Sequence, residues 1–300
     1  MNSHFHHIAL EIQNDIEKKL HGCGILCRVF GRGKGEDSLN KKLDTLSNDG
    51  QSKKYSNSGK KIQDTVGIRV ALYFSDDIDI VQDILNNMYT PLPHESTIDK
   101  PDTDTFCVTR FNLIYEAPKE QKNNFNRSIN GRPIDCTFEV QLRSVLSEGW
   151  HEVEHDLRYK QKEHWENQNE LSRSLNGILA SLESSEWGMR KIFEELAYKH
   201  YKQKYWDAMI SLKFRLRIQG ELNHEIKTIF NQDQRVAKKI LKSDRGTFLS
   251  MYSKHFYSIP LNMDNLIYIT NILSNPVTSI TEITPQFIIE QKNKITTPSH

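Results

Sequence analysis

Between residues 6 and 20 the apolar positions fall four apart, at Ile8, Ile12, Ile16 and Leu20. That period predicts an amphipathic helix, and Gly22 and Gly24 stop it. Residues 25–30 (ILCRVF) are β-branched and aromatic enough to predict a strand. The segment GRGKGED then predicts a turn and residues 38–46 a short helix, while the polar stretch 47–61 reads as a loop. Residues 66–74 alternate. Ile68, Val70, Leu72 and Phe74 point one way; Arg69, Ala71 and Tyr73 point the other. A helix over 77–89 and a loop over 91–104 precede two strands, 105–115 and 134–143, joined by a polar insertion rich in Asn and Lys.

From Ser144 to about Lys160 the pattern returns to a helical period, with Leu146, Trp150, Val153 and Leu157 on one face. Residues 168–231 contain few breakers and predict helix almost throughout; 232–273 predict two or three short helices, and 278–300 a frayed tail. Strands alternate with helices first, and helices alone follow. The fold class is therefore α+β: a mixed β-sheet flanked by helices, with a C-terminal helical extension.

Composition narrows the functions. The chain of 300 residues carries a net charge of +1, so no global field draws it to DNA or a membrane. No stretch approaches 18 apolar residues, and the first fifteen residues lack a signal-peptide core. The four cysteines form no C-x-x-C pair and read as free thiols of a reducing compartment. A cytoplasmic protein is expected.

Four local patterns carry chemistry. Arg32, Lys34, Ser38 and Lys42 follow the first strand through a glycine-rich turn into a helix, where free N–H groups and the helix dipole favour phosphate. Ser38 and Lys42 share a helix face. Asp64 stands two residues before a strand, a suitable place for a Mg²⁺ ligand beside phosphate-binding cations. Glu139, Gln141 and Arg143 alternate with Phe138, Val140 and Leu142, which puts three polar groups on one sheet face. Trp150-His151-Glu152-Val153-Glu154-His155, with Tyr159 and Lys160, gives a helix face rich in His and Glu. Taken singly, the first three have bland readings: a solvated basic turn, a strand cap, a salt-bridged exposed face.

In order and spacing the four resemble the synthetase domain of the RelA/SpoT family, over about residues 25–160 and most closely its small single-domain members. The resemblance implies a nucleotidyltransferase-like domain that makes (p)ppGpp by pyrophosphate transfer from ATP. It assigns ATP binding to Arg32, Lys34, Ser38, Lys42 and Arg69, the last within the segment Asp64-Thr65-Val66-Gly67-Ile68-Arg69. It makes Asp64 and Glu139 the catalytic and metal-binding carboxylates, with Mg²⁺ as cofactor. Gln141, Arg143, Arg110, Asn112 and His155 would face the acceptor, most simply GTP or GDP. The implied organisation is a synthetase domain over 1–160, a helical extension over 161–235, and a small helical region with a frayed tail over 236–300.

The resemblance breaks at one place. Family members carry G-Y-x-S-x-H on the strand before the catalytic one, where the Tyr stacks on guanine. Here Val108 and Asn112 fall at the Tyr and His positions. Pyrophosphate transfer to the tRNA 3′ end or to an adenine nucleotide, or a nucleotide-binding module without turnover, are the alternatives. The family's hydrolase needs a separate upstream helical domain, and no (p)ppGpp hydrolysis is expected. His151 and His155 also fit H-E-x-x-H, a zinc-hydrolase signature, with Glu163, His164 or Glu166 as third ligand; that reading leaves the other three patterns unexplained. The aromatic residues of 161–235 are expected to pack in a core, with a homo-oligomer or regulatory partner as the other uses of that extension.

Overall fold

Strict alternation of apolar and polar residues builds the sheet. In the computed structural model, which describes residues 4–47, 52–98 and 111–296, five strands pair in the order β1-β2-β5-β4-β3. They are β1 (Cys27–Gly33), β2 (Val66–Leu72), β3 (Thr97–Ile98), β4 (Phe111–Glu116) and β5 (Thr137–Ser144). β2 and β5 run parallel; the other neighbours are antiparallel. The sheet is mixed, as its sequence predicted. Phe138, Val140 and Leu142 of β5 are buried, together with Ile68, Val70 and Leu72 of β2. Gly67, Arg69, Glu139, Gln141 and Arg143 take the opposite, half-buried face.

The chain divides into two compact units. The first comprises residues 1–18, 27–78 and 85–183 and contains the sheet. Its buried face is covered by α1 (His4–Gly22) through Phe5, Ile8, Ile12 and Ile16. The approach is close. A Cβ on Gly31 would lie 2.6 Å from the Ala9 carbonyl oxygen, and one on Gly33 2.2 Å from the His6 nitrogen. Gln13 Oε1 accepts the Gly31 N–H at 2.8 Å. These glycines therefore belong to β1, not to a turn as the sequence predicted. Phe30 and Arg32, which alternate with these glycines, are left on the other face, exposed.

After β1 comes α2 (Glu36–Leu43), and α3 (Ile78–Met88) follows β2. The stretch expected to be a plain loop over 91–104 supplies β3. The polar insertion folds as α4 (Lys122–Ile129), whose Phe125 is fully buried against Phe5. α5 (Val145–Leu157) starts at Ser144, whose hydroxyl accepts the Ser147 N–H at 3.1 Å. Trp150 is buried and donates to the Leu175 carbonyl at 2.9 Å. Val153 is half exposed and Leu157 more than half, against the expected four-residue apolar face. The reason is that α5 meets the sheet through Glu148 and Glu152, which ion-pair with Arg69.

The second unit comprises residues 19–26, 79–84 and 184–300. The long helix α6 (Asn169–Gln203) runs into it, followed by α7 (Trp206–Phe214), α8 (His224–Gln232), α9 (Gln234–Lys242), α10 (Arg245–Met251) and α11 (Met263–Leu273). Short polar caps start these helices: Asn223, Asp233, Asp244 and Asn262 each accept a backbone N–H two or three residues on. Buried rings form the core, with Trp206 edge-on to Phe230 and Phe214 edge-on to Phe248. The expected frayed tail is instead α12 (Thr278–Glu282) and α13 (Gln286–Thr296), anchored by the fully buried Ile280 and Ile288. Core packing holds for Tyr201 and Trp206, but Trp187, Tyr198 and Tyr205 are exposed. No described helix is long and apolar enough to cross a membrane.

Candidate active site

Cross-strand register fixes the polar face of the sheet before any side chain is considered. One row runs Arg32, Gly67, Glu139; the next runs Phe30, Arg69, Gln141, Asn112. Over these rows lies a cavity of about 370 Å³. Its wall brings together Arg32, Lys34, Ser38, Asp64, Arg69, Glu139, Gln141 and His155, eight of the residues singled out in the sequence. Lys42 lies outside the wall but reaches the site through Asp64. Arg143 stands one pleat further on and pairs with Glu148 at 3.2 Å. Asn112 is the cross-strand neighbour of Gln141. Arg110 and Val108 lie outside the described residues.

The two carboxylates are set apart by their surroundings. Burial alone would raise the Asp64 carboxyl, yet the hydrogen bond from Lys42 and the charges of Lys34 and Lys42 hold it below the usual range. Lys42 Nζ and Lys34 Nζ both donate to Oδ2, at 2.6 and 2.9 Å. Asp64 Oδ1 is buried without a hydrogen-bond partner. Glu139 moves the other way: burial raises its carboxyl, and the nearby Asp64 charge raises it further. Gln141 Nε2 donates to Glu139 Oε2 at 3.2 Å, which offsets part of that rise. One ionised carboxylate beside one that holds its proton to higher pH is the arrangement of a charge-binding group next to a general base.

Residues 31–164 match the family model described as a region found in RelA / SpoT proteins. They form a RelA/SpoT-type domain. The chain is also similar to solved structures of small alarmone synthetases. Against small alarmone synthetase 1 from Bacillus subtilis bound to its product pppGpp, identity is 18%, with 65% of this chain and 95% of that chain covered and a TM-score of 0.48. The same enzyme bound to AMPCPP gives 17%, 64% and 94%, and 0.43. A GTP pyrophosphokinase family protein from Streptococcus pneumoniae gives 19%, 64% and 90%, and 0.44. No curated protein matches the chain.

The RelA/SpoT-type domain offers hard oxygen donors for a divalent cation. The unpartnered Asp64 Oδ1 and the adjacent Glu139 suit Mg²⁺, which takes one or two carboxylates plus substrate phosphates rather than a full protein cage. The H-E-x-x-H alternative fares differently. His151 is buried against the Trp150 ring, whereas His155 stacks on Tyr159 and hydrogen-bonds Asp156 at 3.0 Å. No group of three His, Cys, Asp or Glu side chains among the described residues converges as a metal site. Glu154 is engaged by Arg158 at 3.0 Å.

Sequence reasoning gave no role to Phe30, Glu148 or Asp156, and named Glu152 only within the His- and Glu-rich helix pattern and its H-E-x-x-H reading. Glu152 and Asp156 line the cavity, as does Phe30, which is 52% exposed there. Glu148 and Glu152 clasp the Arg69 guanidinium from α5, the former at 2.5 Å. Their signal was present: Glu148, Glu152 and Asp156 fall every four residues, one acidic face of a helix.

Proposed function

We propose that the RelA/SpoT-type domain transfers a pyrophosphoryl group from ATP to a nucleotide 3′-hydroxyl. The acceptor oxygen attacks the β-phosphorus, the bond between that phosphorus and the α,β-bridging oxygen breaks, AMP leaves, and the hydroxyl proton passes to Glu139. The observation that carries this reading is the pairing of opposed carboxylates, Asp64 held ionised and Glu139 raised, on a wall that also presents Arg32, Lys34 and Ser38.

Each residue then has a task. Arg32 and the N–H groups and Ser38 hydroxyl at the start of α2 receive phosphate oxygens. Lys34 and Lys42, which rest on Asp64, shift to the incoming triphosphate and leave Asp64 to the cation. Asp64 and Glu139 would hold Mg²⁺, which supplies charge neutralisation at the phosphates when bound. Arg69 turns from its two carboxylates toward ATP. Gln141, Arg143 and Asn112 sit further along the same sheet face and His155 lines the cavity from α5, and there the acceptor enters. Such transfer depends on positioning and charge compensation more than on covalent chemistry by the protein.

GTP or GDP is the acceptor most in keeping with this domain type. Val108, where an aromatic residue would stack on guanine, favours a second reading, the 3′ end of tRNA or an adenine nucleotide. The test is incubation with γ-³²P-ATP and Mg²⁺ beside GDP, GTP, AMP, ADP and bulk tRNA in parallel, with Glu139→Gln as control. Label on one acceptor, absent from the control, is expected. Label on none, from folded protein that still binds ATP, would leave a nucleotide-binding module without turnover.

A further inference from the structure

The net charge of +1 conceals an uneven distribution. Residues 199–245, all in the second unit, hold twelve Lys and Arg against five Asp and Glu. Four of the cations gather on α9. Val236, Ala237 and Ile240 bury one side of that helix, and Arg235, Lys238, Lys239 and Lys242 are exposed on the other. The four stand three or four apart and make one face two turns long. α9 itself holds no acid, and the acids that flank it in sequence are engaged: Asp233 caps α9 and pairs with Arg235, and Asp244 caps α10. Lys and Arg clustered along one helix face are the electrostatic footprint of a polyanion-binding surface.

A second element adds rings to these charges. Residues 198–205, at the end of α6, read YKHYKQKY, with cations and aromatics interleaved. Tyr201 is buried, but Tyr198 and Tyr205 are 47% and 60% exposed, and Lys202 and Lys204 are exposed beside them. Lys202 Nζ stands 5.4 Å from the centre of the Tyr198 ring. Tyr201 ties this segment to α9: its hydroxyl donates to the Gln234 carbonyl at 3.5 Å, and its ring stacks on Tyr198 with centroids 6.0 Å apart. Chemistry then narrows the occupant. A basic amphipathic helix can lie on a membrane only if its apolar face is free to insert, and that of α9 is already buried in its own unit. Lysine is depleted at protein–protein interfaces, whereas it makes up three of the four cations on this face. Duplex DNA would offer phosphates but keeps its bases stacked away from a tyrosine. Single-stranded RNA offers both, a phosphate at every residue for the cations and unstacked bases for the rings.

We propose that the second unit binds single-stranded RNA, its phosphates along Arg235, Lys238, Lys239 and Lys242 and a base on Tyr198. The family match ends at residue 164, so this face lies outside the RelA/SpoT-type domain and the proposal is independent of the pyrophosphate-transfer reading. It is tested on the full chain by fluorescence anisotropy with a labelled oligouridine, across a salt series and without reference to activity. Four phosphate contacts to a single strand should give a log–log salt slope of about −3. Lys238→Gln/Lys242→Gln removes two of them and should bring the slope to about −1.5, with weaker binding and unchanged far-UV circular dichroism. Tyr198→Ala should weaken binding by about tenfold and leave the slope as it is, since stacking releases no counterions. Removing the same charge from exposed positions of the first unit, Lys60→Gln/Lys119→Gln, should change neither. Several outcomes would each overturn the proposal: a wild type that does not bind, affinity undiminished in the double Gln or the Tyr198 variant, an equal loss in the first-unit control, or duplex DNA or phosphatidylserine vesicles bound as tightly as the oligouridine.

Discussion

Glu139 and Phe138 are adjacent in sequence and differ in everything else. Phe138 is fully buried, stacked on Tyr115 and edge-on to Tyr89. Glu139 looks the other way, into a cavity of charges that it shares with Asp64. One strand thus serves stability on one face and chemistry on the other, because successive side chains of a β-strand point to opposite sides. The buried face gains by removing apolar area from water. The open face keeps a carboxylate next to another carboxylate, a destabilising contact with no structural use of its own. Residues that raise the energy of the free protein in this way concentrate where a ligand is to be bound.

The comparison predicts two different failures. Glu139→Gln keeps the shape and removes the base and the metal ligand. Turnover should fall by on the order of 10²–10⁵, while the unfolding free energy should not fall, because the substitution removes a carboxylate that burial and the Asp64 charge disfavour. Phe138→Ala should do the reverse. Loss of a buried ring costs about 3–5 kcal/mol, read as a shift in the denaturation midpoint, and the protein that remains folded should keep its KM for ATP within twofold. A Glu139→Gln variant that unfolds, or a Phe138→Ala variant as stable as the wild type, would break the division of labour between the two faces.

That division was legible in the sequence because period 2 in β5 is a local property. So were the residues of the phosphate turn, Asp64 and the acidic spacing on α5. What those acidic residues meet was not legible: Arg69 is 79 residues from Glu148, and only the parallel pairing of β2 with β5 brings them together. Gly31 and Gly33 misled for a related reason. Glycine commonly marks a turn, but here the missing Cβ atoms serve the packing of α1, a contact no local pattern encodes. The tail misled because α12 and α13 are short, and single anchors such as Ile280 and Ile288 generate no visible period.

Arg69 offers a smaller, sharper test of the open face. It is held by Glu148, which is largely covered, and Glu152, whose side chain is 52% exposed. If these carboxylates hold Arg69 in reserve for ATP, Glu152→Gln should lower the KM for ATP by about two- to fivefold with kcat unchanged, since an exposed ion pair is worth about 0.2–1 kcal/mol. A rise in KM would instead make Glu152 a direct support of the nucleotide. Glu148→Gln should be worse than wild type in either case, because Glu148 also holds Arg143.

The smallest expected effect concerns Glu139 itself and separates its environment from its identity. A general base works only when deprotonated, so kcat/KM should fall as pH drops through the Glu139 pKa. Burial and the Asp64 charge raise that pKa, so the acid limb should lie above the ordinary carboxylate range. The hydrogen bond from Gln141 stabilises the charged form and opposes the rise. Removing the donor with Gln141→Leu should therefore carry the limb to still higher pH. Gln141 also faces the acceptor side, so the height of the profile will fall too, but a lost acceptor contact lowers the whole curve without moving its inflection. A displaced inflection measures the electrostatics of Glu139, and a curve that is lower but not displaced would mean that the ionisation governing the acid limb belongs to another group.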